Sequence, residues 1–195
     1  MTPVQEVQEV PEVHPTTRPP TGLPMRLHHN AFVTRDQEQN RVFYEEIIGL
    51  PLVATWTEVG KMDDGEHLFC HTFYELADGS ALAFFQFADQ DDQDRFGPDL
   101  PPSSFRHIAL AVDAITQSAI SERIAAAGIV EPRTFLVDHG YCISLYVTDP
   151  NGLLLEFAVD TPDANANSTA RRESAHADLA RWLSGDHAPN NDLRH

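Results

Sequence analysis

Positive charge is what this sequence has least of. Thirteen Lys and Arg stand against 30 Asp and Glu, a formal net charge of −17, and Lys61 is the only lysine. A phosphate backbone would be repelled by such a chain. The one basic pair, Arg171–Arg172, has no aromatic residue interleaved as a stacking platform, so nucleic-acid binding is disfavoured. Long apolar runs are also missing: nothing nears the roughly 18 to 20 consecutive apolar residues of a membrane span, and no membrane partner is expected. The opening Met-Thr-Pro-Val-Gln-Glu has neither the basic nor the apolar region of an export leader, so the expected location is cytoplasmic. Cysteine is too scarce for a disulfide framework or a zinc ribbon, and Cys70 and Cys142 read as core thiols.

What remains is an ordinary globular composition, 42% hydrophobic and 22% charged, in 195 residues. The chain reads in three parts. Residues 1–24 carry Pro3, Pro11, Pro15, Pro19, Pro20 and Pro24 and suggest a flexible arm. Residues 25–160 alternate short apolar runs with two helical patterns and suit one domain. Residues 161–195 form a tail, in which a helix over about 169–184 carries Ala175, Leu179, Trp182 and Leu183 near helical spacing. That helix should dock on its own domain or on a second copy.

The central part contains a duplication. His29-Asn-Ala-Phe-Val33 resembles His107-Ile-Ala-Leu-Ala111. Each run leads into a helical pattern, Gln37–Ile48 or Ala114–Ala127, ending at Gly49 or Gly128. Val42, Phe43, Ile47 and Ile48 should face inward in the first, and Ile115, Ile120 and Ile124 in the second. Three strand-like runs follow in each copy: Leu52–Thr57, Leu68–Leu76 and Ala81–Phe87, then Ile129–Val137, Cys142–Thr148 and Leu153–Val159. Both copies therefore read as βαβββ, with module limits near 25–100 and 101–160. The predicted class is α+β: two such modules with curved mixed sheets forming a cup around a metal, plus the C-terminal helix.

Side-chain parity indicates what lines the cup. Ile108, Leu110 and Val112 suit a helix-facing surface, which leaves His107, Ala109 and Ala111 on the other; the matching set is His29, Ala31 and Val33, with His28 turned to the opposite face. On the last strand Leu153, Leu155 and Phe157 share one face and Glu156 the other. A carboxylate among apolar residues is costly to bury unless a cation or donor meets it. His29, His107 and Glu156 are therefore the candidate metal ligands. Two imidazoles and one carboxylate form a facial triad with open coordination positions, a set suited to Fe(II) and also able to take Mn(II), Zn(II) or Ni(II).

These residues, with Phe43-Tyr44-Glu-Glu-Ile-Ile-Gly49-Leu50 and Asp149-Pro-Asn-Gly152, resemble the vicinal oxygen chelate superfamily, which pairs βαβββ modules around a metal. The resemblance covers roughly Arg26 to Asp160. A narrower likeness, Val137-Asp-His139 followed by Leu145-Tyr146-Val-Thr-Asp149-Pro-Asn-Gly152-Leu-Leu-Leu-Glu156, is similar to the signature of type I extradiol ring-cleaving dioxygenases. It implies Glu156 as carboxylate ligand and His139 and Tyr146 as catalytic groups touching a metal-bound diol. The substrates so implied are dioxygen and a catechol, hydroquinone or gentisate-like ring, and paired-module proteins of this kind often form homodimers or higher homo-oligomers. Where those enzymes carry an acid–base histidine this chain has Ser80, which leaves His139, His67 or His71 to move the proton. Ala83 stands where a glyoxalase-like site would need a fourth ligand, and the shortage of lysine tells against a phosphonate-binding thiol transferase. A divalent-metal lyase or isomerase and a metal-free small-molecule binding protein are the other readings.

Overall fold

Each predicted run of strand, helix and three strands is present in the computed structural model of the chain, which describes residues 22, 24–101, 103–162, 164 and 168–191. The predicted arm lies outside the described residues except for residues 22 and 24. In the first module β1 (His29–Val33) leads into α1 (Gln37–Arg41), which continues as a π-helical stretch over Val42–Ile48. Strands β2 (Leu52–Met62), β3 (Gly65–Glu75) and β4 (Ala81–Phe87) follow. A short helix α2 (Gln90–Phe96), which the sequence reading missed, links to the second module. There β5 (His107–Ala111) and α3 (Ala114–Ala126) precede β6 (Thr134–Asp138), β7 (Cys142–Thr148) and β8 (Leu154–Asp160). Helix α4 (Ser168–Leu183) lies near the C-terminal end. Among the described residues no helix is long and apolar enough to cross a membrane.

The two sheets have the same topology, β1-β4-β3-β2 and β5-β8-β7-β6. The first strand of each pairs in parallel with the fourth, and the other pairs are antiparallel. The helices start where carboxylates cap them: Asp36 accepts from the amides of Glu38 and Gln39, and Asp113 from that of Thr116. The π stretch carries Ile48 round to the side of Phe43 and Tyr44, and all three are buried. Tyr44, Tyr74, Leu82, Phe84, Val147 and Leu155 are fully buried in one core that spans both modules.

Polar side chains tie the modules together inside this core. Tyr44 Oη donates to Asp149 Oδ2 at 2.9 Å, and Asn151 Nδ2 donates to Asn40 Oδ1 at 2.8 Å. Asp149 also accepts from the amides of Asn151 and Leu153 at 2.8 and 2.7 Å. The Asp-Pro-Asn-Gly turn is thus also the joint on which the first module's helix rests. Arg123 of α3 donates to the carbonyls of Ile47 and Ile48 at 2.7 and 2.6 Å, satisfying acceptors that the helix end leaves open. Gly49 permits that approach, because a Cβ there would lie 3.0 Å from Arg123 Nη2 and the backbone is left-handed at φ 93°.

Three sequence expectations need correction. Strand β2 runs on to Met62 because its whole length pairs with β3. Strand β6 starts at Thr134 rather than Ile129, where the ladder to β7 begins. Ile115 is 82% exposed, so α3 buries Ile120 and Ile124 alone. On α4, Leu179, Trp182 and Leu183 are 56%, 57% and 75% exposed, so the described residues leave much of its apolar side open.

Candidate metal centre

On the second sheet, the face turned away from α3 gathers most of the predicted site. The ladder sets Ala109, Glu156, Tyr146 and Phe135 side by side across four strands. One step along, His107 on β5 reaches Glu156: its Nε2 lies 3.0 Å from Oε2, with the Glu156 side chain 8% exposed. Ser144 Oγ donates to the other oxygen, Oε1, at 2.6 Å. The buried carboxylate therefore has one partner on each oxygen, as burial of a charge demands. Tyr146 Oη and His139 Nε2 are 3.0 Å apart, and Phe135 stacks on the Tyr146 ring at 4.9 Å. Burial, and then the neighbouring Glu156 carboxylate, push the Tyr146 hydroxyl up to about 12, so it stays a donor at neutral pH. Four of the five predicted site residues, His107, Glu156, Tyr146 and His139, thus form one connected group.

His29 stands apart, on the corresponding face of the first sheet. Its ring meets Phe73 edge-on at 5.8 Å, and its Nδ1 lies 2.8 Å from Nδ1 of His28. His28 does not turn to the opposite face: it precedes β1, where strand alternation does not yet apply. Among the described residues no three His, Cys, Asp or Glu side chains are gathered closely enough to hold a metal ion. His107 and Glu156 supply a donor pair of the right chemistry, imidazole plus carboxylate, with room for further ligands on a face lined by alanines.

The first sheet adds groups that the sequence reading did not assemble. Register places Trp56 beside His71 and His71 beside Phe85, with Phe73 beside Ala83 on the same face as His29 and Ala31. His71 Nδ1 is 3.2 Å from Glu58 Oε2, while burial holds the imidazole below its usual value against the pull of that carboxylate. Alternation along β3 could have found part of this wall, since Phe69, His71 and Phe73 share parity, whereas Trp56 and Phe85 join them only through the register of β2 and β4. His67, the other histidine named for proton transfer, is clamped elsewhere. Its Nε2 lies 3.1 Å from Asp64 and its Nδ1 2.8 Å from Asp92, at the β2–β3 turn and on α2.

The profile of the Glyoxalase/Bleomycin resistance protein/Dioxygenase superfamily matches residues 26–157. Among solved structures the chain is similar to the fosfomycin resistance protein FosX from Listeria monocytogenes, at 19% identity, TM-score 0.53, covering 73% of this chain and 98% of that one. A variant of that protein, solved with Mn(II) and 1S,2S-dihydroxypropylphosphonic acid, matches at 19% identity, TM-score 0.50 and the same coverage. A glyoxylase/bleomycin resistance protein/dioxygenase domain from Frankia sp. EAN1pec matches at 19% identity and TM-score 0.51, covering 72% of this chain and 95% of that one. At these identities the likeness is one of fold. No curated protein matches the chain.

Proposed function

The chain belongs to the Glyoxalase/Bleomycin resistance protein/Dioxygenase superfamily, and from that premise we propose that it is an Fe(II)-dependent extradiol-type dioxygenase that cleaves a dihydroxylated aromatic ring. The observation that carries this reading is the continuous group His107, Glu156, Tyr146 and His139. A ligand pair stands there beside a phenol and an imidazole that are bonded to each other, with the phenol also neighbouring Glu156 and His107. Fe(II) held by His107 and Glu156 would supply the redox chemistry that lets a diol and dioxygen react. The protein's own groups do the rest. Ser144 holds Glu156 by its inner oxygen, leaving the outer one toward His107. Tyr146, kept protonated, donates a hydrogen bond to charge developing on a substrate oxygen, and His139 accepts a hydroxyl proton. Phe135 and the alanines exclude water.

The third ligand, His29, is proposed to come from a second copy, with the first module's open face of one chain set against the second module's open face of the other. One chain gathers two of the three ligands, and a two-fold pair would complete the set twice. A phosphonate, the ligand of the FosX structure, fits less well. The strand positions on both open faces include no lysine or arginine to meet its charge.

The test is metal analysis of protein purified without oxygen, followed by ring-cleavage assays on catechols, hydroquinones and gentisates. Iron near one per chain and cleavage of one class are expected, with both lost in His107→Ala and Glu156→Ala. Zinc or nickel without cleavage would turn the reading to a lyase or isomerase, and no bound metal at all would turn it to a binding protein.

A further inference from the structure

The aromatic wall of the first sheet lies beside His29, whose ring meets Phe73, and it is built around a polar atom. The His71 ring is stacked on Phe85 with centroids 3.8 Å apart and 22° between planes, and it is tilted against Phe73 at 4.2 Å. Trp56 and Phe69 stand edge-on to it at 6.1 and 6.4 Å. Trp56 is 52% exposed and the phenylalanines are half-buried, so the wall faces solvent as an apolar surface of the kind that usually has an occupant. His71 itself is 8% exposed. Its Nδ1 is held by Glu58 at 3.2 Å, while its Nε2 is buried with no hydrogen-bond partner among the described residues.

That combination specifies a ligand. Donation from Nδ1–H to the Glu58 carboxylate fixes the tautomer in which Nε2 presents a bare lone pair. A buried acceptor without a donor is costly until one arrives. The rings around it favour a flat aromatic partner, which stacks on them without needing charge. We infer that this wall is a binding site for an aromatic ring bearing a hydroxyl, the ring packed among Trp56, Phe73 and Phe85 and the hydroxyl donating to His71 Nε2. His71 is then the residue that recognises a phenolic edge, and Glu58 the residue that positions it. The inference rests on the dioxygenase reading only for the expectation that this ring belongs to the substrate; the site itself needs no metal.

The experiment uses the full chain carrying Trp182→Phe, so that Trp56 is the only tryptophan, both as purified and after treatment with a chelator. Phenol, anisole and cyclohexanol are titrated against its fluorescence. Phenol should bind with and without metal, with anisole and cyclohexanol each weaker by roughly tenfold, since one lacks the donor and the other the aromatic ring. His71→Phe keeps a ring in the stack and should bind phenol and anisole alike. Glu58→Gln should weaken phenol selectively. Equal affinity for phenol and anisole in the unsubstituted wall would overturn the inference even if His71→Phe fails to fold, as would a phenol preference that survives in His71→Phe. Phenol preference without any ring cleavage sinks the dioxygenase reading and leaves this site standing; cleavage without the preference does the reverse.

Discussion

Glu156 shows why single residues decide this site. It is the one buried carboxylate of β8, set among Leu, Phe, Ala and Val with the strand's other acid, Asp160, exposed at its end, and its two oxygens are divided between His107 and Ser144. Tyr146 and His139 also touch each other, and the proposed function gives them the substrate rather than the metal. Tyr146→Phe and His139→Gln should therefore keep iron while turnover falls on the order of 10²-fold for each, measured as iron content and cleavage rate on the same preparations. Loss of iron in His139→Gln would make that residue a ligand. A second residue-scale prediction concerns His67. The carboxylate of Asp92, and then that of Asp64, raise its imidazole above the usual value, while Arg95 first and His67 second hold Asp64 down at about 2. A raised folded-state value means that the stabilisation is complete below the unfolded value of about 6.5 and is lost as pH rises through the folded one. Urea midpoints of the parent and His67→Gln should differ most in mild acid and converge in alkali; a gap that widens with pH would contradict the assignment. The residue-level legibility of the site was uneven. His107, Glu156 and Tyr146 could be placed by strand parity because each sits within a strand, whereas His28 could not, since it precedes one.

Elements carry the joint between the modules. The turn Asp149-Pro-Asn-Gly152 was legible as a turn from its composition alone. That Asp149 also accepts from Tyr44, 105 positions away in the chain, was not legible, because burial of that pair depends on how the π extension of α1 meets the β7–β8 turn. Tyr44→Phe removes a donor from a buried carboxylate and should cost about 1–3 kcal/mol in urea unfolding, with the fold retained. Helix α4 makes the opposite case. Its near-helical apolar spacing suggested docking, yet Leu179, Trp182 and Leu183 remain exposed. Removing it by ending the chain at Asp160 should leave the modules folded and lower the association state seen by sedimentation. An unchanged state would mean that other surfaces join the copies. Helix α2 escaped prediction because its seven residues are almost all polar, with only Gln93 buried, so no hydrophobic period marks it.

At the scale of the whole molecule, the proposal that one site draws on two chains gives a direct test. His29→Ala and His107→Ala variants, each inactive alone, should regain metal and activity when mixed, to about a quarter of the sites if subunits exchange freely in a two-fold dimer. A mixture that stays inactive would place all three ligands within one chain. The sequence by itself determined the class of fold, the duplication, the strands that bear His29, His107 and Glu156, and the face each residue occupies. These follow from local rules: alternation along a strand, caps and glycines at helix ends, and a repeat that shows twice what one copy would only suggest. Only the tertiary structure decided which candidates meet. Glu156 found His107 and Ser144, His71 found Glu58 and a ring of aromatics, and His29 was left on the other sheet. Contacts across a sheet depend on the register and twist of several strands at once, and the placing of one module against the other depends on a shared core, neither of which is written in any single stretch of chain.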